Sequence, residues 1–295
     1  MSNRALDPAA PETGFPPVPV VDCQGLRWSA GTLSAVRERL VAEEPLAIEI
    51  AYERLGQTVR KVLSVTMRTP GADEDLAVGF LYCEGLLDGT SDIVGAGLHD
   101  TNARGERIPT WRVELAHPPR AQELERVSRG IITSAACGLC GRTSLQGLRL
   151  EPTSGARTGP PLTGKDILDL PARLADLQRA YPLTGGCHGA GLFDEAGRPL
   201  AVREDVGRHN AVDKVVGAAL RAALPTAGRT LVLSGRAGFE LVQKAAAAGI
   251  ALIVAVGAPS SLAVQLAGEA GMTLVGFARG DRFNVYTHRG RLIRD

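Results

Sequence analysis

The last third of the chain alternates short apolar runs with segments of helical periodicity, and this pattern predicts a parallel α/β layer. The run at 250–256 (IALIVAV) has no polar position, which is typical of a strand covered on both faces. Short connections join the segments, as a parallel layer requires. The predicted elements are strands at 230–234, 250–256, 272–278 and 282–287 and helices at 239–248 and 260–270.

The first half has a different pattern, in which strands of alternating polarity surround one helix. Residues 73–83 (DEDLAVGFLYC) carry acidic side chains in the first turn and apolar ones behind them, as a helix does. Gly85 is a suitable C-terminal stop for this helix. The other elements predicted before residue 230 are strands at 45–51, 59–66 and 109–115, a helix at 167–180 and a hairpin formed by 184–193 and 199–202.

Changes in composition divide the chain. Residues 1–18 are rich in proline and predict a disordered tail. Small residues dominate from about 131, and 151–162 (EPTSGARTGPPL) has the composition of a surface linker. We therefore expect an α/β fold with an N-terminal α+β domain at 19–130 and a C-terminal α/β domain at 131–295.

Composition narrows the classes of function. Apolar residues make up 44% of the chain and charged residues 22%, which is the balance of a globular protein with a real core. A net charge of +1 and an aromatic content of 4% argue against nucleic acid as a partner. The absence of an apolar run of about 18 residues argues against a membrane span. The N-terminus lacks the apolar centre of a secretory signal, so we expect a cytoplasmic protein.

Three segments are expected at the carboxyl edge of the parallel strands, where open α/β sheets bind ligands. They are 234–238 (SGRAG), 257–261 (GAPSS) and 279–282 (RGDR), and the first two lead into helix N-termini that favour an anion. We therefore expect a phosphorylated or nucleotide-like ligand here, unless these residues only make tight turns. Neither a P-loop nor a clean dinucleotide-binding motif is present. The residues proposed to bind are Ser234, Gly235, Arg236 and Ser260.

The chain has five cysteines, and two of them, Cys137 and Cys140, form a C-x-x-C motif. An odd number of cysteines argues against a secreted disulfide scaffold. The motif is compatible with dithiol redox chemistry, with half of a zinc site, or with sulfur transfer through a persulfide. The small residues around it predict a loop, and Arg142 is a cation that would lower the pKa of a nearby thiol. Cys83, on the apolar helix, is expected in the core.

The two competing chemistries of the motif each lack a component. Zinc needs three or four ligands, and Cys187 with His188 would complete a set only at a spacing that matches no common finger. A deaminase-type zinc site also needs H-x-E upstream of P-C-x-x-C, and neither is present. In thioredoxin-like redox proteins the cysteine pair lies near the start of a βαβ unit. Cys137 and Cys140 instead lie in the middle of the chain among small residues. Two cysteines packed in a core remain a further alternative.

Two clusters of polar residues stand out. Segment 203–214 (REDVGRHNAVDK) would place His209 beside Asp213, and Asn210 beside Lys214, if it is helical. Segment 184–188 (TGGCH) is the second cluster. Each is compatible with a functional site, with a structural hydrogen-bond network or with a solvated helix face.

Eight sequence segments, taken in their order along the chain, resemble the FdhD family of formate dehydrogenase accessory proteins. Eight segments carry the resemblance, from about residue 40 to the C-terminus: EEPLAIEI (43–50), MRTPGADEDLAVGFLYCEGLL (67–87), SAACGLCGR (134–142), TGGCHGAGLF (184–193), REDVGRHNAVDKVVG (203–217), LSGRAGFELVQKAAAAGI (233–250), APSSLAVQLA (258–267) and GFARGDRFNVYTH (276–288).

The resemblance implies a sulfur carrier. Members receive sulfur from a cysteine desulfurase as a persulfide and pass it to the molybdenum cofactor, bis-molybdopterin guanine dinucleotide, of formate dehydrogenase. The persulfide carrier corresponds to Cys137, with Cys140 as a helper at most. His188, Arg208 and His209 are expected only to support the site. The cofactor-binding segment corresponds to Phe277, Ala278, Arg279, Gly280, Asp281 and Arg282.

The resemblance also implies a C-terminal domain of three α/β/α layers, similar to cytidine deaminases but without their zinc chemistry, and a homodimer. A guanine nucleotide is expected to mimic part of the cofactor. The partners implied are a cysteine desulfurase and the catalytic subunit of formate dehydrogenase. Two alternatives stay open, a chaperone that binds the cofactor without carrying sulfur and a zinc-dependent hydrolase of the deaminase type.

Overall fold

The computed structural model describes residues 19–130, 159 and 161–292, which form a mixed α/β fold with three sheets. The C-x-x-C motif, the proline-rich tail and most of the predicted linker lie outside these residues. The strands are β1 (Val20–Ser29), β2 (Thr32–Val41), β3 (Glu44–Arg54), β4 (Gln57–Arg68), β5 (Ile93–His99), β6 (Thr110–Leu115), β7 (His188–Phe193), β8 (Pro199–Asp205), β9 (Thr230–Leu233), β10 (Leu252–Ala255), β11 (Thr273–Arg279) and β12 (Arg282–Val285). The helices are α1 (Asp73–Cys83), α2 (Ala121–Gly130), α3 (Gly164–Leu177), α4 (Tyr181–Thr184), α5 (Arg208–Arg221), α6 (Phe239–Ala247) and α7 (Ser261–Glu269), with short 3₁₀ turns at Thr90–Asp92 and Arg289–Arg291.

The N-terminal part is built on a four-stranded sheet of order β4-β3-β6-β5. Strands β3 and β6 run parallel, whereas the other two pairs are antiparallel. Helix α1 packs its apolar side on one face, where Leu76 and Leu81 join Leu46, Ile48 and Val113 in a buried core. The predicted helix at 73–83 is confirmed at both ends, and Gly85 has the left-handed φ expected after a helix.

The C-terminal part is built on a six-stranded sheet of order β12-β11-β10-β9-β7-β8. Strands β9, β10 and β11 are parallel, which confirms the predicted parallel layer. Strand β7 is antiparallel to both β8 and β9, so β8 runs in the same direction as the parallel strands. As a result, four strands end at one edge of this sheet.

Alternate residues of the central strands enter two different cores, which shows that helices cover both faces of the six-stranded sheet. Leu231 and Ile253 pack with residues of α5, α6 and α7. Val232 and Val254 pack instead with Leu174 and its neighbours in α3. The C-terminal part therefore has the three α/β/α layers that the family resemblance implied.

The two sheets are joined through a close crossing of α1 and α5. A Cβ placed on Gly79 would lie 1.8 Å from the backbone oxygen of Asp213, and one on Gly217 would lie 1.9 Å from that of Asp75. The backbones of the two helices therefore touch where each has a glycine. Helix α1 thus packs against both the four-stranded sheet and a helix of the C-terminal layer.

Some predicted boundaries were wrong by a few residues. The helix predicted at 167–180 spans Gly164–Leu177, because Thr163 caps its start and the backbone of 179–181 bonds to Glu204 instead. The hairpin strand predicted from 184 begins at His188, because α4 extends to Thr184 and ends at Gly185 in a left-handed conformation. Strands β1, β2 and β5 and helices α2 and α4 were not predicted, and α5 was considered only as one possibility for segment 203–214. Among the described residues, no helix is long and apolar enough to cross a membrane.

Candidate functional site

The carboxyl edge of the six-stranded sheet gathers the segments that the sequence marked as ligand-binding. Strands β8, β9, β10 and β11 end there, and β7 begins there at His188. The loop after β9 contains Ser234, Gly235 and Arg236, and the loop after β10 leads to Ser260. We refer to these loops, together with the β11–β12 turn and the first turn of α5, as the strand-end site.

Backbone hydrogen bonds fix the loops of the strand-end site to each other. The amide of Gly257 donates to the carbonyl of Gly235 at 2.9 Å, and the amide of Phe277 donates to the carbonyl of Gly257 at 3.1 Å. The amide of Ala237 donates to Ala258 at 3.2 Å. A Cβ at Gly257 would lie 2.9 Å from the backbone nitrogen of Arg236, so this close approach needs glycine. The three loops therefore form a connected rim.

The two serines of the site already have structural hydrogen bonds. The Ser234 hydroxyl accepts from the amide of Gly189 at 2.8 Å, which joins the loop to β7. The Ser260 hydroxyl accepts from the amide of Ala263 at 3.2 Å and caps α7. In the described structure, by contrast, the N-caps of α5 and α6 are Gly207 and Gly238, which have no capping side chain. Their first amides favour an anion at this edge.

A basic cluster lies at the centre of the site. Burial lowers the pKa of His188, and the nearby charges of Arg208, His209 and Arg236 lower it further, while Asp205 opposes them. The imidazole is therefore mainly neutral at neutral pH, although several cations surround it. The ring of His209 is itself 3.0 Å from the Glu240 carboxylate.

His188, Arg208 and His209 were expected from the sequence only to support the site, and the structure brings these three residues together at the middle of the edge. Their signal in the sequence was the density of polar groups in 184–188 and 203–214. The sequence did not predict where these polar residues lie in the fold, because β7 and the start of α5 come together only when the sheet is assembled.

The β11–β12 turn closes one end of the site. Arg279 and Arg282 are paired across the hairpin, and Gly280 and Asp281 form its exposed tip. Ala278 is buried below them. These four exposed positions are accessible to a ligand, as a binding segment requires.

Phe277 has a φ of 55°, in the left-handed region that non-glycine residues rarely adopt. The pairing of β11 with β12 is interrupted at this point, between Gly276 and Arg279. Such a backbone costs about 1–3 kcal/mol and tends to occur at functional sites. The half-buried Phe277 therefore has an unusual backbone conformation two residues before Arg279.

The floor of the site is a buried hydrogen-bond network centred on Asp205. Its carboxylate is 2.7 Å from Lys214 Nζ and accepts from the amides of Thr69 (3.1 Å) and Gly207 (2.8 Å). Asn210 donates to the same carboxylate at 3.1 Å. Lys214 also donates to the Thr69 carbonyl at 2.7 Å. In the polar segment 203–214, Asn210 and Lys214 therefore have the structural role that was one of its predicted alternatives.

Glu204, the neighbour of Asp205 on β8, holds the segment that precedes His188. Its carboxylate accepts from the amides of Arg179, Ala180 and Tyr181 at 2.7 to 2.9 Å and from the Cys187 thiol at 3.3 Å. Burial alone would raise the pKa of Glu204, but the backbone hydrogen bonds outweigh it and hold the pKa below its usual value. The carboxylate is therefore charged at neutral pH.

The cysteines of the described residues either have a raised pKa or lie on an element outside the strand-end site. Burial raises the pKa of Cys83 well above its usual value, and the prediction that it lies in the core is confirmed. Burial and the adjacent Glu204 also raise the pKa of Cys187 strongly. Cys23 is exposed on β1. Cys137 and Cys140 lie outside the described residues.

Metal ligands are not grouped in the part of the chain that the structure describes. No set of three or more His, Cys, Asp and Glu side chains in 19–130 and 161–292 has the arrangement of a metal site. The Cys187 thiol, which a Cys₃His site would use, is bonded to Glu204.

Comparison with known proteins gives one consistent result. A model of the FdhD/NarQ family matches residues 41–293. A relative from Nocardia farcinica, named sulfur carrier protein FdhD, is 47% identical over 260 residues, which cover 87% of this chain and 88% of the relative. A relative of the same name from Thermoplasma volcanium is 40% identical over 266 residues, which cover 90% of this chain and 92% of the relative.

A solved structure gives the same result for the fold. A crystal structure from Desulfotalea psychrophila, described as that of a formate dehydrogenase accessory protein, superposes with a TM-score of 0.70 at 25% identity. The match covers 94% of this chain and 100% of that one.

Proposed function

Because this chain belongs to the FdhD/NarQ family, we propose that it carries sulfur as a persulfide on Cys137 and delivers it to the molybdenum cofactor of a formate dehydrogenase. The protein is a sulfur carrier of the formate dehydrogenase accessory class. Beyond this sulfur-carrier role, the proposal identifies the thiol that bears the sulfur, the acceptor of the sulfur and the place where the acceptor binds.

Properties of the other cysteines support Cys137 as the carrier. Sulfur transfer needs an exposed thiolate, and the raised pKa values of the buried Cys83 and Cys187 disfavour that form. Cys23 is exposed but lies on a strand that is not part of the strand-end site. Cys137 has small neighbours and a nearby arginine in the sequence. Cys140 would act as a helper at most.

The loading of Cys137 is an exchange between sulfur atoms. The Cys137 thiolate attacks the terminal sulfur of a persulfide on a cysteine desulfurase. A new S–S bond forms on Cys137 while the S–S bond of the donor breaks, and the donor cysteine leaves as a thiolate. No external oxidant or reductant is needed in this step. Free thiols persist in a reducing compartment, so we propose that the exchange takes place in the cytoplasm.

The basic cluster of the strand-end site is the observation that supports cofactor binding. The acceptor, bis-molybdopterin guanine dinucleotide, carries phosphates, and guanidinium groups and free helix amides bind phosphate well. Arg208, Arg236 and the β11–β12 turn provide these groups at one edge. Phe277 directly precedes this turn and is an aromatic residue on which a base could stack. We propose Phe277 to Arg282 as the segment that holds the guanine end, with GDP as a mimic.

Sulfur loading tests the carrier proposal. The purified protein is incubated with a cysteine desulfurase and L-cysteine, and its intact mass is measured. Wild type is expected to gain the mass of one sulfur atom, and Cys137→Ala is expected to lose that gain. Cys23→Ala is the matched control, because it removes an exposed thiol without touching the motif. Cys140→Ala is expected to keep most of the gain.

The same variants separate the carrier from a chaperone. Cys137→Ala is produced together with a formate dehydrogenase in cells that lack their own accessory protein, and dehydrogenase activity is measured. Loss of activity is expected for a carrier. Full activity of Cys137→Ala would contradict the proposal and favour a protein that only binds the cofactor.

We further propose that the protein works as a homodimer with a cysteine desulfurase and the catalytic subunit of formate dehydrogenase as its partners. The relatives' name supports the sulfur-carrier role, and the solved structure's description supports the dehydrogenase partner.

A further inference from the structure

Strands β1 and β2 form a long ribbon, which we call the arm (Val20–Val41). Ten antiparallel residue pairs run from Val20 and Val41 at its base to Ser29 and Thr32 at its tip. At about 3.3 Å per residue the arm is about 30 Å long. It is a separate two-stranded sheet, so in the described structure both of its outer edges are without a neighbouring strand.

The arm exposes large apolar side chains where a ribbon in water would not be expected to have them. Leu26, Trp28 and Leu33 near the tip are 70%, 68% and 62% exposed. An isolated two-stranded ribbon is at best marginally stable in water, and clustered exposed apolar residues mark interaction surfaces. The arm therefore needs a partner.

The register assigns the apolar tip to one face. Paired residues share a face, and faces alternate along each strand. Leu26 with Ala35 and Trp28 with Leu33 lie on the same face, which we call the apolar face. The ion pair between Arg27 and Glu38, at 2.9 Å, belongs to the opposite face. Nearer the base, the same face includes Gln24 with Arg37, Asp22 with Arg39 and Val20 with Val41, whereas the exposed Val21 and Leu40 form a pair on the opposite face.

The apolar face is complementary to itself. If two arms face each other across a two-fold axis parallel to their strands, β1 of each lies over β2 of the other. The tip then covers the tip, with Trp28 over Leu33 of the second copy. At the base, Asp22 of each copy faces Arg39 of the other, so opposite charges meet twice. Isologous contacts of this kind are the usual basis of dimers.

We propose that the apolar face of the arm is a dimer interface, which packs against the same face of a second copy of this chain. This inference rests on the homodimer proposed above, because its partner is a second copy of the chain. It does not depend on the sulfur chemistry. Burial of the two tips removes the apolar surface from water, and the charge pairs at the base fix the register of the two arms.

The first experiment compares two neighbouring substitutions on opposite faces. Leu33→Asp places a charge on the apolar face, whereas Ser34→Asp places the same charge next to it on the other face. Sedimentation velocity over a range of concentrations measures the dimer dissociation constant. Leu33→Asp is expected to raise this constant at least about tenfold, and Ser34→Asp is expected to leave it near that of wild type. Circular dichroism checks that both variants are folded.

The second experiment uses charge exchange between copies. Asp22→Arg and Arg39→Asp each put like charges at both contacts of their own dimer. Mixed in equal amounts, the two variants restore opposite charges at both contacts, so native mass spectrometry should find mostly heterodimers. Each variant also has like charges within its own arm, but these are the same in homodimers and heterodimers and do not bias the result.

The outcomes separate this inference from the proposed function. A wild-type dimer that persists in Leu33→Asp, with statistical mixing of the charge variants, would overturn the arm interface and leave the homodimer standing. A wild-type monomer at all concentrations would overturn both. Sulfur loading on Cys137 is measured on the same samples, and it is expected to be unchanged in Leu33→Asp because this substitution leaves the C-x-x-C motif intact.

Discussion

At the scale of single residues, the adjacent carboxylates of β8 have different tasks because they project to opposite sides of the strand. Asp205 binds Thr69 and Lys214 below the strand-end site. Glu204 accepts hydrogen bonds from the backbone amides of 179–181 and from the Cys187 thiol. These bonds hold the segment that precedes His188 in position.

Replacement of Glu204 by Gln is expected to destabilise the protein by about 1–3 kcal/mol at neutral pH, because the amide places its own N–H groups among amide donors. The carboxylate has a lowered pKa in the folded state, so its stabilisation is present above the unfolded pKa of about 4.3 and is lost as pH falls through the folded pKa. Urea unfolding at pH 7 and between pH 5 and 3 measures both effects.

Glu195→Gln, at an exposed position near the opposite edge of the sheet, is the control for that measurement. It is expected to leave the free energy of unfolding nearly unchanged. Equal stability of Glu204→Gln and wild type at pH 7 would show that the Glu204 hydrogen bonds do not stabilise the fold.

Binding of an anion to the strand-end site should be visible at His188. Burial and the charges of Arg208, His209 and Arg236 lower its pKa, with Asp205 acting in the other direction. A phosphate beside the ring would neutralise part of this positive field, so GDP is expected to raise the pKa of His188. Histidine ring signals followed by NMR over a pH range, with and without GDP, measure the change.

Arg236→Ala is expected to weaken GDP binding by about 10- to 100-fold if the guanidinium contacts phosphate. Arg198→Ala removes an exposed arginine from the β7–β8 turn at the opposite edge of the sheet and should have no effect. Unchanged GDP affinity in Arg236→Ala, together with an unshifted His188, would exclude the basic cluster as the phosphate site.

At the scale of elements, the crossing of α1 and α5 depends on two glycines that let the helix backbones touch. Gly79 lies against Asp213, and Gly217 lies against Asp75. Around this point, Arg203 and Arg221 both bind Asp75, at 2.8 and 2.6 Å. These ion pairs link α1 to α5 through Arg221 and to β8 through Arg203.

Gly79→Ala is expected to lower the free energy of unfolding by several kcal/mol, because the new methyl group would lie 1.8 Å from the Asp213 carbonyl oxygen unless the helices separate. Gly268→Ala in α7 is the matched control. Its Cβ would lie 3.7 Å from Thr287, so the gain in helix propensity should make it neutral or slightly stabilising. Thermal unfolding of both variants tests the difference, and similar midpoints would contradict a tight crossing.

The elements with a strong local pattern were predictable, and those defined by distant contacts were not. The apolar run at 250–256 and the acidic first turn at 73 identified β10 and α1. The arm has no such pattern, because both of its faces are exposed and its apolar residues do not alternate regularly. The loops of the strand-end site were predicted from strand order, but the central place of His188 depends on β7 entering the sheet beside β9.

At the scale of the whole molecule, a buried network joins the two sheets into one unit. Thr69, which follows β4, is bonded to Asp205 and Lys214 of the C-terminal part. Lys214 and Asp205 are almost completely buried, at 1% and 0% exposure. A buried pair of this kind contributes little net stability as a pair, but it is costly to break on one side.

Lys214→Met is expected to destabilise the protein by about 3–5 kcal/mol, because it leaves the Asp205 carboxylate buried without its counter-charge. Wild type should unfold in one calorimetric transition, since the network and the α1–α5 crossing couple both sheets. Lys165→Met, at an exposed lysine of α3, is the control. Two separate transitions in wild type would show that the sheets unfold independently.

The crossing of α1 with α5 also has a consequence for synthesis on the ribosome. Helix α1 leaves the exit tunnel long before α5 is translated, because more than a hundred residues separate them in the chain. Translation proceeds at about 5–20 residues per second, so the glycine side of α1 and the turn at Thr69 stay exposed for several seconds or more before α5 is synthesised. The nascent first sheet is therefore an incomplete structure during elongation, and it is the stage at which chaperones would be expected to bind this protein.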